Sequence, residues 1–199
     1  VPPINLVGFG ICLPSVLHAG SEAQKRTYLP PAVRGEHVWC QLFSEPGSGS
    51  DLAALKTRAE PDGSGWRLSG QKIWTSFAHH ADYGLCLARS DPRGQKHRGL
   101  SMFIVDMRQP GVSVRPIRFN NGEHDFNEVF LDHVPVAEDQ VVGEVHEGWQ
   151  VAGGAAFAGH PGFVAVGIHD LPPAVCRGIV LLVDRRVGVD ADGRAGVVG

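Results

Sequence analysis

A mainly β fold, built as a sandwich or barrel of short strands, is what the sequence predicts. Apolar runs rich in strand formers recur at close intervals between residues 38 and 131. Turn chemistry separates them: Asp62-Gly63-Ser64-Gly65, Asp91-Pro92-Arg93-Gly94, Gln109-Pro110-Gly111 and Asn120-Asn121-Gly122 each hold residues that accept positive φ or pre-set a turn. No helix-length segment lies between the runs, which argues against a doubly wound parallel sheet.

The elements follow in order. Residues 1–18 are apolar but contain Pro2, Pro3, Asn5 and Pro14 and lack a basic leader, so neither a signal peptide nor a membrane span is expected. Ser21-Glu22-Ala23-Gln24 is a capping-box pattern that starts a short helix. That helix is predicted to end at about Leu29, because Pro30 and Pro31 lack the N–H and disfavour helical geometry in the residue before them. Residues 38–43, between Gly35 and Pro46-Gly47, read as a buried strand. Further strands are expected at 56–59, 66–73, 83–89, 100–106, 112–117 and 127–131.

Composition narrows the function classes. A net charge of -3 with 18 scattered Lys and Arg provides no phosphate-tracking surface, so nucleic acid is excluded as a partner. The cysteines Cys12, Cys40, Cys86 and Cys176 show no paired short spacing, which predicts buried free thiols in place of a zinc site or disulfide framework. A cytoplasmic location without membrane attachment is expected. His79 and His80 are adjacent and diverge in either regular structure, so they do not form a one-face metal pair. No nucleophile elbow appears, and the glycine loop near residue 47 lacks the Lys of a P-loop. Glu128 and Asp132 share the outward face of their strand and are expected to solvate it.

From Gly153 to Gly199 the character changes: Lys, Glu, Ser, Thr, Asn, Gln, Tyr, Trp and Met are all missing, and Gly, Ala and Val fill more than half. Ordinary domains do not have this composition. Gly154, Gly159, Pro161, Gly162, Gly167, Pro172 and Pro173 oppose a long helix. A GC-rich coding region read in a shifted frame gives such a bias, so a frameshift near Ala152 and an irregular tail are expected. The alternative is a linker with a short strand at 179–183.

Two segments carry the chemistry. Residues 42–51 run from a strand into Glu45-Pro46-Gly47-Ser48-Gly49-Ser50-Asp51, and residues 68–76 end on Trp74-Thr75-Ser76. Together they offer a flat ring, hydroxyl donors and free backbone N–H groups. Alone, the first is a polar turn and Trp74 is a core aromatic. In this order, with Ala88-Arg89-Ser90-Asp91, the run 99–105 and Asn127-Glu128-Val129-Phe130-Leu131-Asp132 following in register, they resemble the middle β-domain of acyl-CoA dehydrogenases. The likeness covers most of residues 20–151, and residues 143–149 resemble the link into that family's last helical domain.

The resemblance implies a FAD-binding β-barrel at 36–150, preceded by the end of a helical domain at 1–35 and followed by the aberrant tail at 151–199. It implies cofactor contacts from Gln41, Phe43 and Ser44 to the pyrimidine edge of the flavin, Trp74 against the ring system, Ser76 near its N5 atom, and a further cofactor contact from Thr75. Ser50 would line the channel for the acyl thioester. Family members oxidise acyl-CoA to trans-2-enoyl-CoA and pass electrons to an electron-transfer flavoprotein, and they are commonly homo-oligomers. Their catalytic glutamate comes from the C-terminal helical domain, so no catalytic residue is assigned here, and this chain is read as a truncated member, inactive by itself. An acyl-CoA oxidase or flavin monooxygenase of the same fold, or a non-catalytic partner of a longer paralogue, are the alternatives.

Overall fold

The computed structural model describes residues 5–120, 122, 124–158, 187–189 and 195–197, with side chains through residue 153. The chain opens on helices. A π-helical turn, Gly8–Cys12, leads into α1 (Leu13–Ala19), and α2 (Glu22–Val33) follows after Gly20. The capping box forms as the sequence predicts: the Gln24 N–H donates to Ser21 Oγ at 3.1 Å, and the Ser21 N–H donates to Gln24 Oε1 at 2.9 Å.

α2 does not stop at Leu29; it carries Pro30 and Pro31 in its last turn. The prolines withdraw donors only from the carbonyls one turn earlier, while their own carbonyls still accept from Arg34 at 3.1 Å and Glu36 at 2.9 Å. Leu29 and Ala32, both fully buried, hold this turn against the core. Packing outweighs the local preference. Termination falls instead at Gly35, whose φ of 75° and N–H bond to the Ala32 carbonyl, beside the Glu36 N–H bond to the Pro31 carbonyl, make a Schellman motif.

Eight strands then form one sheet: β1 (Trp39–Leu42), β2 (Arg58–Asp62), β3 (Gly65–Ser76), β4 (Tyr83–Arg89), β5 (Leu100–Asp106), β6 (Val112–Pro116), β7 (Phe126–Ala137) and β8 (Val141–Val142). The order is β6-β7-β3-β2-β4-β5-β8, with β1 parallel beside β4. Each strand expected from the sequence is present, although β3 and β7 extend well beyond their expected ends.

The sheet has two cores. On one face Cys40, Leu42, Leu68, Cys86, Phe103, Val129 and Val136 pack into the barrel interior. On the other, Trp39, Leu85, Leu87, Met102 and Ile104 meet Val16 and Leu29 of the helices. This double burial explains why β4 and β5 are continuous apolar runs while β7 largely alternates. Cys12, Cys40 and Cys86 are buried free thiols as expected, and burial pushes Cys86 up to about 11. Cys176 lies outside the described residues.

Past the barrel, α3 (Gly148–Ala158) continues beyond Ala152, where the sequence reading ended the regular fold. Ala155, Ala156 and Ala158 are strong helix formers and offset Gly153 and Gly154. Gly148 starts α3 against β5, where a Cβ would sit 2.5 Å from the Ser101 backbone carbon. Two short strands, β9 (Val187–Val189) and β10 (Ala195–Val197), pair antiparallel further along. The run at 179–183 and the remainder of the tail lie outside the described residues.

Candidate functional site

Trp74 owes its position to a β-bulge. The register between β3 and β7 slips between Lys72 and Thr75. In a regular strand these two residues face opposite sides, yet Lys72 is 0% and Thr75 2% exposed, so both enter the barrel. The displaced residue is Trp74, which takes a φ of 60° and stands 55% exposed. A bulky residue in the left-handed region costs on the order of 1–3 kcal/mol and persists only where its surroundings over-determine it. Phe126 meets the indole edge-on at 6.3 Å between ring centroids, and Phe119 meets Phe126 at 5.6 Å. With Ile117, Arg118, Phe119 and Asn120, Trp74 lines an open cavity of about 510 Å³.

Trp74 is therefore not a core aromatic, the role that the residue taken alone suggests. Trp74→Ala should lower stability by roughly 1 kcal/mol or less, against the roughly 3–5 kcal/mol of a buried aromatic. Urea unfolding measures this; a loss above that lower figure would place the indole in the core.

The upstream segment lies directly alongside. The Ile73 N–H donates to the Ser44 carbonyl at 2.9 Å, which joins the end of β1 to the bulge of β3. Gln41 is half-buried in β1 opposite Leu85, and Phe43 is buried against the helix-side core. Glu45 and Ser48 close the glycine turn with reciprocal backbone bonds of 2.9 and 3.0 Å, and Ser48 Oγ donates to the Asp51 carbonyl at 2.9 Å. Ser50 is exposed on this loop, and Ser76 is half-buried opposite Phe126. Ser44, Trp74 and Ser76 thus come together. Thr75 does not join them through its side chain: Oγ1 is buried without a partner, and the carbonyl accepts from Asn127 Nδ2 at 3.0 Å.

Sequence reasoning missed the buried ion pair beneath the bulge. Lys72 Nζ donates to Glu45 Oε1 at 2.9 Å, to the Phe43 carbonyl at 3.0 Å and to the Leu87 carbonyl at 2.8 Å, which uses all three of its protons. Glu45 also accepts from the Lys56 N–H at 2.6 Å and the Thr57 N–H at 2.8 Å. Burial pushes the Glu45 carboxyl up, but the Lys72 ammonium and the bonds from Thr57 and Lys56 outweigh it and hold the group below its ordinary value. A lysine is almost never fully buried unless paired, so a lone Lys between Gln71 and Ile73 in a strand carried no signal.

The remaining polar groups behave blandly. His79 Nδ1 lies 3.0 Å from Asn127 Oδ1, with the His80 ring at 4.0 Å and the His124 ring at 5.3 Å. Among the described residues no group of three or more His, Cys, Asp or Glu is placed to hold a metal ion. Glu128 accepts from Gln71 Nε2 at 2.9 Å on the outward side of β7. No helix among the described residues is long and apolar enough to cross a membrane.

The eight-stranded sheet, with helices packed on β4 and β5, is the fold of an acyl-CoA dehydrogenase middle domain, and residues 40–134 match that domain. The chain belongs to the acyl-CoA dehydrogenase family. It is 52% identical over 139 residues to acyl-CoA dehydrogenase FadE34 of Mycobacterium tuberculosis, which covers 70% of this chain and 20% of that protein. The Tcur3481-Tcur3483 steroid ACAD superposes with a TM-score of 0.75 at 33% identity, covering 90% of this chain and 44% of that one. The ChsE4-ChsE5 complex from Mycobacterium tuberculosis gives a TM-score of 0.73 at 33% identity over 79% of this chain and 40% of that one. The chain spans 20% of the length of FadE34 and 39% of that of acyl-CoA dehydrogenase IpdE1 of Mycobacterium tuberculosis.

Proposed function

We propose that residues 36–150 form the barrel-side wall of a FAD site in an acyl-CoA dehydrogenase. Trp74 carries the reading: a large aromatic is held out of the core, in strained backbone, beside the Ser44 main chain. These residues fit a flat, polar-edged cofactor. Trp74 would lie against the flavin ring, Gln41, Phe43 and Ser44 would serve its pyrimidine edge, and Ser76, with the Thr75 main chain, would approach N5. Ser50 would border the acyl-thioester path. Bound FAD would supply a hydride acceptor for the β-carbon of an acyl-CoA as the α-proton leaves. Preorganised donors at the ring edge favour the charge that develops there.

The reaction proposed for the complete enzyme is oxidation of acyl-CoA to trans-2-enoyl-CoA, with electrons passing to an electron-transfer flavoprotein. The steroid ACAD at 33% identity favours a steroid-bearing acyl group. None of these residues is assigned as the base, so the 199-residue chain by itself is proposed to be without turnover. The likeness to a complex of two dehydrogenase chains favours a second role, as a partner of a longer dehydrogenase. Co-purification with such a chain tests that role.

FAD titrated into the chain and followed by amide and indole N–H chemical shifts tests the cofactor site. Weak binding is expected, with shifts at Ser44, Trp74 and Ser76, because the barrel presents one side of the cleft only. Shifts confined to other surfaces would overturn the assignment.

A further inference from the structure

We infer that Lys72 and Glu45 are positioning residues of this site, a buried ionic clamp that sets where the Phe43-Ser44 backbone meets the Trp74 bulge. The inference rests on the flavin reading. Lys72 Nζ, projecting from β3, reaches the end of β1 through the Phe43 carbonyl, the glycine turn through Glu45, and β4 through the Leu87 carbonyl. Glu45 extends the clamp to Lys56 and Thr57, the approach to β2. Every backbone segment that would touch the flavin ring is thus tied to one ammonium.

The tie is short. Lys72 immediately precedes Ile73, whose N–H donates to the Ser44 carbonyl, and Trp74 comes next. A displacement of Nζ passes within two residues to both the ring-bearing bulge and the donor-bearing strand end. A buried ion pair is often no more stabilising than an apolar pair of similar volume. Apolar side chains here would also leave the Phe43 and Leu87 carbonyls without their partner, so neither would be held in place. The ion pair is the arrangement that fixes position, and the strained φ of Trp74 needs surroundings that do so.

Glu45→Gln tests the clamp, because it retains an acceptor for Lys72 while removing the charge. Lys72→Met is a second variant, and Val136→Ala, in the barrel interior opposite Trp66, is a control for general destabilisation. Without ligand, amide hydrogen exchange reads the Ile73 N–H. Glu45→Gln should speed exchange at Ile73 by about ten-fold more than at other β3 amides, whereas Val136→Ala should speed all of them alike. With FAD, Glu45→Gln should weaken binding and shrink the shifts at Ser44 and Trp74, and Val136→Ala should leave both unchanged. Uniform exchange along β3 together with wild-type FAD binding in Glu45→Gln overturns the clamp. Selective exchange at Ile73 with no FAD response in the wild type overturns the flavin reading, and with it the clamp's role in cofactor positioning.

Discussion

Lys72→Ala should destabilise the barrel by about 3–5 kcal/mol, because removing one partner of a buried pair strands the other charge away from water. The Glu45 carboxylate is only 8% exposed and would keep two main-chain donors but lose its counter-ion. The Phe43 and Leu87 carbonyls would lose their donor at the same time. Against a typical total of about 5–15 kcal/mol, this is a large share. Lys72→Met combined with Glu45→Met should be milder than Lys72→Ala alone, since no charge remains buried. Urea unfolding of the set decides; a single variant less damaging than the double would show that the two residues are uncoupled.

The same pair predicts a pH signature. The folded-state pKa of Glu45 is depressed, so the stability it contributes is present above its ordinary 4.5 and is lost as pH falls through the lower folded value. In Lys72→Ala the ammonium that helps hold the carboxyl down is gone and the folded value moves up from that of the wild type. Acid then costs the variant less than the wild type, and the stability deficit should shrink on acidification. Unfolding midpoints across the acid range separate the two profiles, and parallel profiles would show that Glu45 is not coupled to Lys72.

Trp39→Ala is the second large effect, at about 3–5 kcal/mol, with the helices loosened before the barrel. Trp39 is 0% exposed and joins the layers: its ring meets Tyr28 of α2 at 5.6 Å and Tyr83 of β4 at 5.3 Å. Truncation leaves a cavity bordered by two tyrosines that belong to different elements. Trp39 Nε1 is buried without a partner, so Trp39→Phe removes an unsatisfied donor and should cost far less than Trp39→Ala. Hydrogen exchange should show α1 and α2 losing protection ahead of β4 and β5 in Trp39→Ala. Simultaneous loss everywhere would mean that helices and barrel unfold as one unit.

Local pattern was sufficient for much of this protein. The strands at β1, β4 and β5 fall where short apolar runs stand between turn residues, and the capping box at Ser21 forms because both of its partners lie within one helical turn. The outward face of Glu128 follows from a period of two, and the buried thiols from cysteine's apolar character. The pairing of the Ser44 strand end with the Trp74 segment was legible only through the resemblance to acyl-CoA dehydrogenases, since nothing local links residues so far apart in the chain.

Tertiary structure decided what a period of two cannot express. A one-residue bulge leaves no mark on composition, yet it turns Thr75 inward and Trp74 outward, because each slip in register exchanges the faces of a strand. Whether a lysine can be buried depends on acceptors carried by β1, β4 and the glycine turn, which meet only after folding. Packing likewise carried α2 through Pro30 and Pro31, where burial of Leu29 and Ala32 exceeds a local helical penalty. Sequence determined the capped helix and the strands between residues 38 and 131, because their signals lie within a few residues. The fold determined which side chains those elements present, because that depends on partners distant in the chain.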